Sequence, residues 1–395
     1  MSKEIYRPKR MKFGAFLAPF HRVEENPTIA FERDLEYIEQ MDRFNFDEVW
    51  IGEHHSAGWE TIASPELMMI AAAQRTRSIK VGTGVLSLPY HHPLLVADRF
   101  VQLDHMTRGR AMLGVGPGAL TSDAYMMGID PLEQRRMMDE SLGAILALLR
   151  GETVTMETDW FKLQDARLQL ASYTHPHLPV AVAAAFSPSG PITAGKYGIG
   201  IHSGGANHPE GQKALERTWA WASEAAKESG KTISREDWRV VMPFYLADSK
   251  KEAINDIAEL FRHENEDYFG STIGRGPAPG EGSLEAAIEH GSIIVGTPDD
   301  AIPIIENMLE ISGGFGGMLT RSSEYTTWEK TIHSMELWSR YVMPHFQGQI
   351  QSKAASADWV ASNPAAKVST DAVTKAFEDA GKEIPGNVEE SQRPR

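Results

Sequence analysis

Two adjacent histidines, His54 and His55, follow a glutamate at the end of an apolar run in the stretch WIGEHHSAGW, residues 50–59. An imidazole in this position can act as a general base, donate a hydrogen bond or bind a metal ion. Neighbouring side chains at the end of a strand point to opposite sides, so only one of the two can face a shared site. The stretch therefore predicts one histidine with a chemical role and one with a structural role.

A catalytic metal ion is disfavoured by the rest of the sequence. Metal sites of enzymes combine several histidines and carboxylates, whereas the other predicted strand ends carry mostly glycine, serine and alanine. The 395 residues include no cysteine, which excludes disulfides, thiolate metal sites, iron–sulfur clusters and a cysteine nucleophile. We expect a site without metal, in which Glu53 is a buried carboxylate partner of a histidine.

Glycines interrupt two neighbouring predicted strands, one with the sequence VGTGV (81–85) and the next with GVGPGAL (114–120). Glycine inside a strand marks a bulge or the close approach of another group to the backbone. Two such strands side by side would form a flat shelf on which a planar ring could lie. Close packing of neighbouring elements is the alternative explanation.

A third candidate is AFSPSGPITAGKYG (185–198), in which Ser187, Ser189 and Gly190 precede a predicted helix. Backbone amides at a helix start and serine hydroxyls can together bind an anion such as a phosphate. The serines could instead serve only as helix caps. The local sequence leaves both interpretations open.

A regular alternation of short β-type runs and longer helical patterns must position these residues. The predicted strands cover residues 11–19, 46–53, 79–89, 110–118, 179–186, 199–204, 238–248 and 316–322. Such alternation predicts a parallel sheet, and eight repeats favour a closed α/β fold, the (β/α)8 TIM barrel. Functional residues of this fold lie where strands end and loops begin, as His54 does.

Two segments interrupt the alternation. Residues 152–171 alternate like an inserted hairpin, and residues 268–292, rich in glycine and polar residues, predict a lid-like insertion before the last strand. We expect a barrel domain over residues 1–350 and a C-terminal surface extension over residues 351–395.

The charge and hydropathy of the chain disfavour some classes of binding partner. A net charge of −15 disfavours binding to nucleic acid or to an anionic membrane surface, because both repel an acidic protein. No apolar run approaches the roughly 18–20 residues that a membrane helix needs. We expect a cytoplasmic protein that binds neither nucleic acid nor membranes.

Several motifs resemble those of the bacterial luciferase-like flavin monooxygenase family. They are FDEVWIGEHH, VGTGVLSLPYHHP, LDHMTRGRAMLGVG, VGTPDD and MELWSRYVMP, and the similarity extends over residues 12–346. FGAFLAPFH, ENPT, IGEHHSAGWE and LPYHHP are similar to the branch of limonene monooxygenase-type proteins. The resemblance implies a (β/α)8 barrel that binds reduced FMN without a covalent bond.

The resemblance also implies a two-component reaction. A separate flavin reductase would supply FMNH2, and the chain has no strand-linked G-x-G-x-x-G nicotinamide motif of its own. One oxygen atom from O2 would enter an apolar, terpene-like substrate through a flavin C4a-hydroperoxide, with epoxidation of limonene or a similar alkene favoured. The family further implies a homodimer and a non-proline cis peptide bond between Gly84 and Val85.

The family's catalytic histidine corresponds to His54, and His55 would be structural. The cofactor-binding residues implied by the resemblance are Thr83, Gly84, Val85, Gly116, Gly118, Ser187, Ser189, Gly190 and His202. Luciferase has a Cys-Arg pair after strand 4, where the arginine helps to hold the phosphate, but this chain has Gly116 and Pro117. Its phosphate contacts would therefore depend on backbone amides or on another cation, for which Arg321 is a candidate.

Other functions are compatible with the same residues. They are Baeyer–Villiger oxidation of a cyclic ketone, hydride transfer with a deazaflavin, non-catalytic flavin binding and metal-dependent hydrolysis in a barrel. For the monooxygenase, the apolar side chains expected around the substrate are Phe16, Trp59, Leu88, Tyr90, Met126 and Met127.

Overall fold

Eight parallel strands close into a barrel surrounded by helices. The structure is a computed structural model that describes residues 5–18, 20–185, 187–204, 206, 209–276, 282–322, 324–364 and 370–384. The barrel strands are β1 (Lys12–Leu17), β2 (Glu48–Ile51), β3 (Lys80–Thr83), β4 (Ala111–Gly116), β5 (Val180–Ala184), β6 (Gly200–Ser203), β7 (Trp238–Val241) and β8 (Gly317–Ser322). β1 pairs with both β2 and β8, and β3 pairs with β4, so the ring is complete. The (β/α)8 TIM barrel expected from the alternation is confirmed.

Helices follow the strands along the chain. They are α1 (Pro27–Arg43), α2 (Pro65–Arg75), α3 (Pro93–Thr107), α4 (Thr121–Met126), α5 (Gln134–Leu149), α6 (Ser189–Tyr197), α7 (Pro209–Glu228), α8 (Lys250–His263), α9 (Leu284–Glu289), α10 (Pro298–Ser312), α11 (Trp328–Leu337) and α12 (Met343–Phe346). Local signals set several starts: the side chain of Asn26 caps α1, and Thr297 and Asp300 form a capping box at α10. Among the described residues, no helix has both the length and the apolar character needed to cross a bilayer.

Two of the predicted strands are each divided in the structure. The segment predicted over 79–89 contains β3 and a short strand, Leu86–Ser87, that pairs with the end of β4. The peptide bond between Gly84 and Val85, which separates the two, is cis, as the family resemblance implied. The segment predicted over 238–248 contains β7 and Phe244–Leu246, which pairs with Ile294–Gly296 in a small separate sheet.

Both predicted insertions have regular structure. Val154–Glu157 and Lys162–Ala166 pair antiparallel, which confirms the hairpin. The segment before β8 is more helical than its composition suggests: α8 continues into a π-helical segment, Glu264–Thr272, and α9 follows. Residues 277–281 lie outside the described residues. We call Glu264–Thr272 the π-segment.

The chain forms two compact units, Met1–Gln347 and Gly348–Arg395. The first contains the barrel and its helices. In the second, the described residues form two helices, α13 (Gln351–Ser362) and α14 (Thr370–Asp379).

The barrel interior combines an apolar layer with a buried ion pair. Trp50, Met112, Ala181, Val241 and Leu319 are buried and form one cluster inside the ring. The indole N–H of Trp50 donates to Glu48 Oε1 over 3.0 Å, and Glu48 also pairs with Arg239. This arrangement gives the barrel a closed, packed interior on which a site at the strand ends can be built.

Candidate active site

A cavity of about 880 Å³ lies where the barrel strands end. Aromatic and aliphatic side chains make up much of its wall, including Phe16, Phe20, Phe261, Phe269 and Leu319. Polar groups also line it, among them His54, Glu60, His202 and Arg321. A largely apolar cavity with a few converging polar groups is the usual form of a small-molecule site.

His54 is the third residue after the end of β2 and lines the cavity. Its backbone N–H donates to the Ile62 carbonyl over 3.0 Å, which fixes the start of the loop. Its Nδ1 lies 3.3 Å from Asp123 Oδ2, and its Nε2 lies 3.5 Å from Glu60 Oε2. Burial alone would lower the pKa of His54, but the two carboxylates outweigh burial and raise it. The histidine singled out by the sequence is therefore stabilised in its charged form.

Asp123 connects the histidine loop to α4. Besides facing His54, it accepts a hydrogen bond from the backbone N–H of His55 over 3.2 Å and another from the hydroxyl of Ser56. Burial would raise the pKa of Asp123, but the hydrogen bonds from His54 and Ser56 keep it below its usual value. The carboxylate is thus ionised, and it orients residues 54–56 as a group.

Glu53 is the centre of a separate buried cluster. Its Oε2 accepts from the backbone N–H of Ser87 over 2.6 Å, and its Oε1 lies 3.0 Å from His55 Nε2 and 2.6 Å from His91 Nε2. These partners lower the pKa of Glu53 although burial opposes the shift. The expected pairing of Glu53 with a histidine is confirmed. His55 does not line the cavity, so the two adjacent histidines face different surroundings.

The interrupting glycines of β3 and β4 make room for Trp50. A β-carbon at Gly82 would lie 2.8 Å from Cε3 of the Trp50 indole, and one at Gly84 would lie 2.8 Å from Trp50 Cβ. At Gly114 a β-carbon would meet the carbonyl oxygen of Thr83 at 2.0 Å. Close packing, the alternative given above, therefore explains these glycines. Gly84 and Val85 also line the cavity, so backbone is exposed to it at this point.

Three predicted cofactor residues lie next to this wall without lining the cavity. The hydroxyl of Thr83 donates to the Gly114 carbonyl over 2.7 Å, which ties β3 to β4. A β-carbon at Gly116 would lie 2.6 Å from Cγ2 of Val85, and Gly118 has a φ of +95° beside the hydroxyl of Tyr90. Cofactor contacts of Thr83, Gly116 and Gly118 stay predictions.

The serine loop after β5 approaches the cavity through Ala183, Ala184 and Ala185. Pro188 occupies the N-cap position of α6, and no side chain caps this helix. Neither Ser187 nor Ser189 lines the cavity, and their phosphate contacts stay a prediction. Gly190 has a packing reason: its β-carbon would lie 2.3 Å from the carbonyl oxygen of Ala183.

His202 and Arg321 both line the cavity but differ in charge. Burial lowers the pKa of His202 to about 3, although Glu48 opposes the shift, so this imidazole is neutral. Its ring contacts the Trp50 indole edge-to-face, with 4.0 Å between the ring centroids. Arg321 pairs with Glu264 and donates to the hydroxyl of Tyr325 over 2.8 Å. The guanidinium suggested as a phosphate ligand is therefore held by protein groups.

The expected apolar surroundings are only partly correct. Phe16 lines the cavity, but Trp59, Leu88, Tyr90, Met126 and Met127 do not. Leu88 is fully buried, and the side chains of Met126 and Met127 are exposed to solvent. Spacing along the chain could not separate these positions, because Met126 and Met127 lie at the C-terminal end of α4 with their side chains exposed.

One group of described residues has ligand atoms close enough to hold a metal ion: His21, Glu25 and Glu324. His21 Nε2 lies 3.1 Å from Asp34 Oδ2, and the guanidinium of Arg33 donates to Glu324 over 2.6 Å. These atoms take part in an ion-pair network, which explains the cluster without a metal.

A sequence model described as luciferase-like monooxygenase matches residues 11–313. The chain belongs to the luciferase-like monooxygenase family. Limonene 1,2-monooxygenase from Rhodococcus erythropolis is 46% identical over 342 residues, 86% of this chain and 88% of that protein. The 4-hydroxyprotoasukamycin monooxygenase of Streptomyces nodosus subsp. asukaensis is 44% identical over 360 residues, 89% of this chain and 97% of that protein.

A solved structure of the same family has the same fold. It is the oxygenating constituent of 3,6-diketocamphane monooxygenase from Pseudomonas putida, a type II Baeyer–Villiger monooxygenase in complex with FMN. Its sequence is 27% identical, and the TM-score is 0.71 over 85% of this chain and 98% of that chain. This luciferase-like monooxygenase is therefore a flavin-dependent enzyme that acts on a substrate and O2.

The cavity of this luciferase-like monooxygenase suits a flavin. A planar ring system needs a wall without protruding side chains, and Gly84, which has no side chain, forms part of this wall. Trp50 and the neutral His202 line it as well. The residues present are compatible with the cofactor that the family uses.

Three residues of this luciferase-like monooxygenase site were missed by sequence reasoning: Glu60, Asp123 and Tyr268. Glu60 follows the quoted histidine stretch directly, and Asp123 lies seven residues after the end of β4. Extending the search a few residues beyond each strand end would have found both. Tyr268 lies in the π-segment, 208 residues from its partner Glu60, and no local signal marks it.

Proposed function

We propose that this enzyme transfers one oxygen atom from O2 to an apolar, terpene-sized substrate, with reduced FMN supplied by a separate flavin reductase. The observation that carries the proposal is the cavity of about 880 Å³, whose largely apolar wall includes His54, an imidazole flanked by the carboxylates of Asp123 and Glu60. The reaction would consume substrate, O2 and FMNH2 and would release oxygenated substrate, water and FMN. The absence of a strand-linked nicotinamide motif supports a separate reductase.

Gly84, Val85 and His202 would hold the flavin ring, and Ser187, Ser189 and Gly190 would contact its phosphate. When bound, the reduced flavin supplies two electrons and activates O2. The apolar wall of the cavity would exclude water from the reacting groups, which protects an activated oxygen from loss as hydrogen peroxide. The chain itself would thus orient the flavin, exclude water from the cavity and supply a positioned proton.

His54 would supply that proton. Its two carboxylate neighbours favour the imidazolium, which can donate a hydrogen bond into the cavity. A proton on the transferred oxygen makes it electrophilic, and an electrophilic oxygen reacts with an alkene to give an epoxide. Limonene or a similar alkene is the proposed substrate class, in agreement with the name of the 46% identical relative.

Baeyer–Villiger oxidation of a cyclic ketone is the second candidate. It is favoured by the resemblance to the diketocamphane enzyme, which is named a Baeyer–Villiger monooxygenase. This reaction needs a nucleophilic, deprotonated oxygen, and the carboxylates that raise the pKa of His54 favour its proton-donating form, which supports epoxidation better.

The deciding experiment mixes the protein anaerobically with photoreduced FMN and then with oxygen-18 in buffer, followed by stopped-flow absorbance and mass spectrometry. Limonene and a cyclic ketone are the two test substrates. One labelled oxygen atom in a product, formed in proportion to flavin oxidised, supports the monooxygenase and selects its substrate class. Immediate return of oxidised flavin, without labelled product from either substrate, would contradict the proposal.

A further inference from the structure

Glu60 lies between His54 and the π-segment and contacts both. Its Oε2 lies 3.5 Å from His54 Nε2, and its Oε1 accepts a hydrogen bond from the hydroxyl of Tyr268 over 2.6 Å. The side chain is buried and lines the cavity. One carboxylate thus joins the histidine of the barrel to a residue that lies 208 positions away along the chain.

The backbone holds Glu60 in this place. Residue 60 forms an antiparallel bridge with Phe20, so the loop after β2 is tied to the loop after β1. Phe20 in turn packs edge-to-face on the Tyr268 ring, with 5.0 Å between the ring centroids. The carboxylate is therefore presented to both partners by a fixed loop rather than by a free side chain.

Tyr268 is suited to act as the donor. Its side chain is 2% exposed, and the rings of Phe20, Trp59 and Phe269 surround it. Burial, followed by the charge and hydrogen bond of Glu60, raises the pKa of Tyr268 well above its ordinary value. The phenol is thus protonated and donates to the carboxylate under all ordinary conditions.

The charges around this chain of contacts come from several elements. Asp123 on α4 and Glu60 both face His54 and favour its charged form, as does Glu53 more weakly, whereas His55 opposes it. Arg321 on β8 and Arg275, after the π-segment, act on Glu60 and Tyr268. Among these groups, Glu60 both accepts a hydrogen bond from Tyr268 of the π-segment and lies next to His54.

We propose that Glu60 is a positioning residue that keeps His54 charged toward the cavity and, through Tyr268, holds the π-segment against the barrel. The inference rests on the proposed function only for the catalytic role of His54. Glu60 acts through other groups: one oxygen serves the histidine and the other serves the tyrosine. The same carboxylate then influences both the position of the π-segment, which forms part of the cavity wall, and the protonation of His54.

Two substitutions separate the two effects. Glu60→Gln removes the charge but leaves an amide oxygen that can still accept from Tyr268. Tyr268→Phe keeps the ring and the carboxylate and removes only the hydrogen bond. Glu66→Gln is the matched control for the first, because Glu66 is a buried carboxylate paired with Arg99 away from the cavity. Tyr245→Phe is the control for the second, because Tyr245 is buried and donates to Asp256 over 2.9 Å.

Both effects can be measured in the cofactor-free protein. The protonation midpoint of His54 follows from a pH titration of the imidazole nitrogen shifts by NMR, with the signals assigned by their loss in His54→Gln. We expect Glu60→Gln to lower this midpoint by about one pH unit or more, since a carboxylate at this distance contributes that much. In hydrogen-exchange mass spectrometry, we expect Tyr268→Phe to speed exchange of residues 264–272 roughly tenfold, the effect of losing one hydrogen bond to a charged group.

The loaded enzyme gives a third readout. Oxygen transfer should fall with rising pH as His54 loses its proton, and Glu60→Gln should move this fall to lower pH by the same amount as the NMR midpoint. A merely structural role for Glu60 would lower activity at every pH without moving the profile.

An unchanged His54 midpoint in Glu60→Gln, or unchanged exchange in Tyr268→Phe, would overturn the proposal. If Glu60→Gln fails to fold by circular dichroism, Glu60→Asp takes its place. It retains the charge but draws it back from His54, so it must shift the midpoint in the same direction. Because the NMR and exchange measurements use the protein without flavin, they decide the role of Glu60 even if the wild-type protein transfers no oxygen.

Discussion

The indole of Trp50 occupies the space next to Gly82, where a β-carbon would lie 2.8 Å from its Cε3 atom. The same added β-carbon at Gly82 would also lie 3.0 Å from Cβ of Met112 on the neighbouring strand. Trp50 contacts His202 and lines the cavity, so its position influences both the barrel interior and the site. The glycine-interrupted strand is therefore adapted first to a tryptophan of the protein itself.

Gly82→Ala should lower stability because it forces the buried indole and its neighbours to move. Overpacking of this kind costs about 1–3 kcal/mol. Chemical denaturation followed by tryptophan fluorescence measures the loss. Gly204→Ala is the control, since nothing lies within 4 Å of its added β-carbon. Equal stability of the two variants would show that the barrel accommodates the extra methyl group.

Glu48→Gln should destabilise the protein strongly. Glu48 is 2% exposed and Arg239 is 5% exposed, so the substitution leaves a buried guanidinium without its counter-charge. Breaking a buried pair from one side costs about 3–5 kcal/mol. Glu32→Gln, which breaks a solvent-exposed pair with Arg75, is expected to have little effect. A double variant, Glu48→Gln with Arg239→Met, should recover part of the loss, and failure to recover any would contradict the charge explanation.

His54→Ala should retain flavin binding and lose oxygen transfer. Positioned proton donors contribute about 10²–10⁴-fold to rates, so product formation should fall within that range. Fluorescence titration with FMN and product analysis by gas chromatography separate the two effects. His105→Ala is the control, because His105 is exposed, donates to the Ala171 carbonyl over 2.9 Å and does not line the cavity. Unchanged turnover in His54→Ala would remove this residue from the mechanism.

Ser187→Ala and Ser189→Ala, combined, should weaken binding of FMN but not of riboflavin. The two ligands share the ring and differ in the phosphate, so riboflavin tests the ring site alone. Loss of a hydrogen bond to a charged group costs about 1.5–3 kcal/mol, which corresponds to a weakening of roughly tenfold or more. If the binding of both ligands weakens equally, or if the binding of neither weakens, the two serines do not contact the phosphate.

His21 should make the stability of the protein depend on pH above neutrality. Burial alone would lower its pKa, but the carboxylates of Asp34 and Glu324 raise it to about 10. Its contribution to stability is therefore complete below the ordinary histidine pKa of about 6.5 and is lost as the pH rises through about 10. In that window the free energy of unfolding should fall by about 1.4 kcal/mol per pH unit from this group. Denaturation at several pH values should show a flatter dependence for His21→Gln than for wild type, and parallel curves would exclude this assignment.

Local sequence patterns were sufficient to predict the barrel and the position of one candidate catalytic residue. Alternating β-type and helical runs identify eight strands, because each strand buries a short apolar run and each helix a periodic face. The position of His54 after β2 follows from the same alternation, because polar residues at strand ends lie on one face of a barrel. The Ser187 loop was located in the same way, but whether its serines contact a ligand depends on side-chain directions that the sequence does not carry.

The sequence by itself determined the strand order and placed the candidate site and its pair of histidines at a strand end, and the family resemblance selected His54 from the pair. Only the tertiary structure decided what surrounds that histidine, because Glu60, Asp123 and Tyr268 come from three separate segments of the chain. It also decided that the glycines of β3 and β4 accommodate Trp50, a residue of a different strand. Local periodicity reports which face of an element is buried, whereas the partner of a buried group is set by how the elements pack together.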